Sequence, residues 1–134
     1  MPSIFTKIIH GEIPSHQIAE NEDYFAFLDI QPIVEGHTLV IPKLEIDYIF
    51  DLDNQTLMGL HLFAKKIALA LRQTFDCARV SLIVAGFEVP HAHIHLIPSN
   101  SMDDLSFAKR SQPRPEQLAD TAARIRAQLR LEGL

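Results

Sequence analysis

The chain predicts an α+β fold, with about five antiparallel strands, one long central helix, a short helix near the amino end and a helix near the carboxyl end. Three observations carry this reading. Apolar residues repeat at threes and fours over one long stretch, residues 53–76, as in a helix that buries one face. Elsewhere they gather in short β-branched or aromatic runs bounded by Gly, Pro and polar turn formers, which is the pattern of strands. The chain has 134 residues, 47% hydrophobic and 22% charged, without repeat, linker or low-complexity tract; one domain over 1–134 can bury a core at that size.

The elements follow in order. Ile4, Phe5, Ile8 and Ile9 sit at helical spacing before Gly11 and Pro14 end the pattern. Two strand signals come next, Gln17–Glu20 and Tyr24–Leu28, joined by the polar "ENED" as a hairpin turn. "HTLVIP", opened by His37 and bounded by Gly36 and Pro42, reads as a buried strand. In the long helix, Leu57, Leu60, Ala64, Ile67, Leu71 and Phe75 share a face, and "DLDNQT" supplies side chains to cap its first turn. "ARVSLIVAG" returns to strand character, Gly86 permits a sharp turn, and "VPHAHIHLIP" is the last strand. A polar segment, "SNSMDDLSFAKRSQPRP", reads as loop before a final helix with Leu118, Ala122, Ile125 and Leu129 on one face.

Charge and cysteine content exclude several functions. Twelve Lys and Arg against seventeen Asp and Glu give a net charge of -5, a field that repels polynucleotides and anionic membranes. A lone Cys77 allows neither an internal disulfide nor a cysteine-based zinc knuckle. With no apolar run near ~18 residues and no leader pattern, the expected compartment is the cytoplasm.

The stretch "EVPHAHIHLIP" holds His91, His93 and His95 at every second position. On a strand they share one face, while Ala92, Ile94 and Leu96 point to the other. Imidazoles so placed begin roughly 6.5 Å apart, and three cations that close would repel, so at least one is neutral near pH 7. The pattern is open to three readings: coincidence on a half-exposed strand, chelation of an ion, or attack by a neutral imidazole on phosphorus while its neighbours bind phosphoryl oxygens. Chelation lacks a nearby cysteine, and Glu88 is the only close carboxylate.

"HAHIHLIP" resembles the His-X-His-X-His motif of the histidine triad nucleotide-binding family, and "IFTKIIHGEIP" and "FAFLDIQPIVEGHTLVIPK" resemble the matching blocks of its Hint-like branch, covering about residues 3–99. The resemblance implies the family's fold, a homodimer with a continuous sheet, and no cofactor or metal. It implies hydrolysis of a small nucleotidyl compound, AMP- or GMP-like, with His93 attacking the α-phosphorus to form a covalent nucleotidyl-histidine. His95 would contact phosphate, and His91 and His37 would set the reactive tautomer. Asp29 would accept the ribose hydroxyls, and Phe5, Ile8, Phe27, Leu28 and Ile30 would wall the base. Gly86, Phe87, Glu88 and Val89 would also bind substrate, with Glu88 near phosphate.

The chain departs from the family pattern at four places. The loop before the triad is short, and Phe87 and Glu88 stand where an amide and a hydroxyl are expected. A Glu88 carboxylate near phosphate would repel it, so a nucleotide-binding or sensor module with little turnover is one alternative, and a metal-dependent hydrolase using the same histidines is another. Glu45 stands where a histidine is frequent, and no Cys-X-X-Cys is present for the structural zinc of some bacterial relatives. Lys43 and Lys65 read as solvated, and His10, His16 and His61 as surface or packing residues.

Overall fold

In the computed structural model, which describes residues 1–133, the elements are α1 (Ile4–Ile9), β1 (Gln17–Glu20), β2 (Tyr24–Leu28), β3 (Thr38–Pro42), α2 (Asn54–Thr74), β4 (Arg79–Ile83), β5 (Ile94–Ser99) and α3 (Pro115–Leu131), with 3₁₀ turns at Ile49–Asp51, Met102–Leu105 and Phe107–Lys109. The strands form one antiparallel sheet in the order β1-β2-β3-β5-β4.

Every residue of β2 and β3 is buried, so their alternation serves two cores, one on each face of the sheet. Tyr24, Ala26, Leu28 and Val40 join Ile94 and Leu96 against α2 and α3. Phe25, Phe27, Leu39 and Ile41 face the other way and pack with Phe5 of α1. α2 buries Leu60, Phe63, Ala64, Ile67, Ala70 and Leu71, spaced as an amphipathic helix requires. Each large aliphatic among them stabilises the fold by roughly 1.5–3 kcal/mol relative to exposure. The helix starts where the Asp53 carboxylate accepts the Thr56 N–H at 3.0 Å. The "ENED" turn is closed by Asn21, whose Oδ1 accepts the N–H groups of Asp23 and Tyr24.

Two features differ from expectation. The last strand begins at Ile94, so His91 and His93 precede it. β3 ends at Pro42, which has no N–H for the ladder, and the Ala92 N–H turns instead to the Ile46 carbonyl. Lys43 is half-buried and paired with Glu20 at 2.8 Å across the hairpin.

Gly36 sets the entry to β3. Its φ of +91° is one L side chains rarely adopt, and an added Cβ would lie 2.5 Å from the Phe75 ring at the end of α2. The His37 side chain is thereby delivered, fully buried, beneath β5.

Candidate active site

Register sets the floor of the site. Phe27 pairs with Leu39, and Leu39 with His95, so these three form a row across the α1 face of the sheet. Phe5 closes over the row, its ring edge-on to Phe27 at 5.4 Å and to His93 at 5.1 Å. The resulting cavity, about 280 Å³, is lined by Phe5, Ile8, Phe27, Leu28, Asp29, Ile30, Glu88, Val89, His93 and His95 of the expected residues. Gly86 and Phe87 line neighbouring hollows that also reach His93, and the Phe87 side chain is fully exposed. His37 and His91 lie behind the wall with no exposed surface.

Fixed donors and acceptors dictate where the ring protons sit. The Ile33 N–H donates to His37 Nδ1 at 3.1 Å, so the His37 proton is on Nε2, which faces His95 Nδ1 at 2.9 Å. His95 Nδ1 therefore accepts, and its own proton is on Nε2. His91 Nε2–H donates to the Pro42 carbonyl at 2.8 Å, and its Nδ1 accepts from the Ser3 hydroxyl at 2.8 Å. His93 Nδ1–H donates to the carbonyl of His91 at 2.7 Å. A singly protonated His93 consequently presents a bare Nε2 lone pair beside the N–H of His95, with ring centroids 5.0 Å apart. A nucleophile next to a hydrogen-bond donor is an arrangement suited to attack at an anionic, oxygen-bearing centre.

The sequence model of the HIT domain matches residues 10–102. The chain belongs to the HIT-domain family. It is 37% identical over 133 residues to the adenosine 5'-monophosphoramidase of Saccharomyces cerevisiae, covering 97% of this chain and 83% of that protein. It is also 41% identical over 100 residues to an uncharacterised 16.1 kDa HIT-like protein of Mycoplasma pneumoniae, covering 71% of this chain and 69% of the relative. Among solved structures, a hypothetical histidine triad nucleotide-binding protein of Sulfolobus tokodaii superposes with a TM-score of 0.86 at 29% identity, covering 96% of this chain and 92% of that one. A zinc-bound histidine triad family protein of Mycobacterium smegmatis does so at 0.83 and 29%, covering 97% and 94%.

Burial tunes the histidines of this HIT domain. It is the main cause that lowers His37 to about 4 and His95 to about 3; for His95 the neighbouring His37, His93 and Arg110 act in the same direction. Burial also lowers His91, against the opposing pull of Pro42 and Glu45. These three rings are therefore neutral at pH 7.

Asp29, His37 and His95 bring one donor atom each within 4.8 Å of one another, close enough to bracket an ion. Their chemistry opposes it: His37 Nε2 and His95 Nδ1 are bonded to each other, and Asp29 Oδ2 holds the Arg110 guanidinium at 2.8 Å. A cation here would break the first bond and meet the guanidinium charge.

Four contributors escape sequence reading. Arg110 and Phe107 come from the polar segment after β5; Phe107 packs edge-on to His95 at 4.9 Å, and Arg110 lines the cavity. Ser3 holds His91, and Glu45 accepts both the Ser3 N–H and the Thr6 hydroxyl, fastening α1 to the end of β3. The only advance signal is at Glu45, a departure from the family pattern; long-range pairing of loop residues has no periodicity to betray it.

Proposed function

We propose that the chain is a cytoplasmic hydrolase of small nucleotidyl compounds, acting on a nucleoside phosphoramidate or related substrate, with a purine in the base pocket. The observation that carries the reading is the protonation pattern: His93 offers an Nε2 lone pair into the cavity while His95 offers an Nε2–H next to it. The likeness to an adenosine 5'-monophosphoramidase supports the substrate class. The base lies among Phe5, Ile8, Phe27, Leu28 and Ile30, where an aromatic ring can stack on it. The ribose hydroxyls donate to Asp29.

The chemistry proceeds in two displacements. His93 Nε2 forms a bond to the α-phosphorus as the P–N bond of the substrate breaks, and the leaving amine takes a proton from solvent. Water then attacks phosphorus and gives up a proton to solvent, the P–Nε2 bond breaks, and nucleoside monophosphate leaves. His95 Nε2–H stabilises the phosphoryl oxygens in both steps, at a position that His37 and Ile33 hold in advance. His91 fixes the carbonyl that keeps the His93 proton on Nδ1. No step requires a metal, and Arg110 at Glu88 lessens the repulsion that an isolated carboxylate would exert on phosphate.

The test is brief mixing with adenosine phosphoramidate after chelator treatment. AMP should be released, and intact-protein mass spectrometry should find an adenylyl adduct on a His93-bearing peptide. Nucleotide affinity without product would support the binding-module alternative instead; loss of all turnover with the chelator would refute metal independence.

We also infer a homodimer. β4 is an edge strand with Leu82 exposed, and Tyr48, Phe50, Met58, Leu62 and Phe87 expose further apolar surface. Sedimentation equilibrium should give twice the 15.1 kDa chain mass; the monomer mass at micromolar concentration would refute this.

A further inference from the structure

The cavity wall carries two carboxylates, Asp29 and Glu88, and one guanidinium that touches both. Arg110 Nη1 donates to Asp29 Oδ2 at 2.8 Å and to the Gln31 carbonyl at 2.5 Å, and Nη2 donates to Glu88 Oε1 at 2.7 Å. The side chain is held from below as well, its guanidinium carbon 5.2 Å from the centre of the Phe107 ring. Burial works against its charge, but the Asp29 hydrogen bond and the two carboxylates outweigh it, so the guanidinium is more firmly protonated than usual. Its Nε–H is nevertheless buried with no acceptor among the described residues. That burial puts Nε–H out of a ligand's reach, but Nη2 makes only the Glu88 bond among the described residues and has a second N–H to give an anionic oxygen.

Charge gives this arrangement a consequence. His37 and His95 are neutral at pH 7, so Asp29, Glu88 and Arg110 together contribute a net charge of about -1 to the wall, and the two carboxylates without Arg110 would contribute about -2. We propose that Arg110 is a specificity residue of the site, which admits phosphate-bearing ligands by offsetting about half of the charge of Asp29 and Glu88 and turning the spare N–H of Nη2 to phosphoryl oxygen. This rests on the nucleotidyl reading above. Removing a unit charge about 6 Å from one phosphoryl charge at an effective dielectric near 20 weakens binding by roughly a hundredfold before solvent screening reduces it, and the loss grows with ligand charge. A neutral nucleoside feels little of it.

The experiment is calorimetric titration of wild-type, Arg110→Gln, Arg110→Lys and Glu88→Gln proteins with adenosine, AMP and ADP. Arg110→Gln should lose about tenfold or more in affinity for AMP and at least as much for ADP relative to its change for adenosine. Arg110→Lys should recover part of the loss, because it keeps the charge but not the planar fork. Glu88→Gln should bind AMP more tightly than wild type. Equal losses for adenosine and AMP would overturn the proposal and leave Arg110 a prop for Asp29. Tighter adenosine binding by Arg110→Gln would overturn it in favour of a guanidinium that blocks the ribose site. Unchanged affinities would overturn it outright. Because binding is read without turnover, a charge-graded response with no AMP release from adenosine phosphoramidate would retain this inference while refuting the hydrolase. Absence of binding by the wild-type protein would refute both.

Discussion

His93→Ala should lower turnover of adenosine phosphoramidate by at least about a thousandfold, the scale on which loss of a covalent nucleophile acts. The fold should survive. The His93 side chain makes one hydrogen bond among the described residues, to the His91 carbonyl, and its ring borders the cavity, so truncation leaves space that water can enter. AMP affinity should stay within several-fold of wild type, since Asp29, Arg110 and the apolar wall remain. The paired measurement separates chemistry from binding: kcat collapses, the nucleotidyl adduct disappears from the mass spectrum, and the dissociation constant barely moves. A variant with turnover within tenfold of wild type would show that the bond-forming nitrogen is elsewhere.

The second large effect is on stability against acid. His37 and His95 are lowered to about 4 and about 3, against an ordinary value of 6.5, by burial above all. As pH falls below 6.5 the unfolded chain takes up protons on both rings that the folded chain refuses, so the folded state loses ground. The stability that neutral burial confers is complete above pH 6.5 and is lost as pH falls towards the folded values. Each ring contributes up to about 1.4 kcal/mol per pH unit in that window, and the pair removes several kcal/mol by pH 4.5. His91, also lowered by burial, acts in the same direction. The carboxylates held below their usual range, Glu20, Glu45 and Asp53, lose their contribution only under pH 4.5, which leaves the histidine window clear. Thermal unfolding followed by circular dichroism should show Tm falling steeply from pH 6.5 to 4.5, and a shallower fall for His95→Gln. A flat Tm across that range would mean that the rings are already charged in the folded protein.

Periodicity made the architecture legible because burial imposes it. α2 announces itself through Leu60, Ala64, Ile67 and Leu71, and β2 and β3 through runs with no exposed position. Alternation was right about His93 and His95, which share the cavity, and misleading about His91. That side chain turns inward because Pro42 ends β3 and leaves a carbonyl that a ring N–H can claim. Family blocks brought Asp29, His37 and the triad together, which local pattern alone leaves scattered over 67 positions of sequence, from Asp29 to His95. What stayed hidden was the partner of Glu88. Arg110 lies in a segment with no hydrophobic rhythm, and its other carboxylate is 81 residues away. A sequence shows that charges exist; only the folded path shows which of them meet.

Phe5, Phe27 and Leu39 belong both to the cavity wall and to the second core. The shape of the cavity and the packing of the fold are thus encoded in the same three side chains, and none can drift freely. A lineage or a designer that reshapes the cavity at these positions alters the packing of the sheet at the same stroke. Adaptation to a new ligand has its open ground at the rim, where Ile8, Ile30 and Val89 border the cavity while keeping one side in solvent. The site is therefore conservative at its floor and adaptable at its edge.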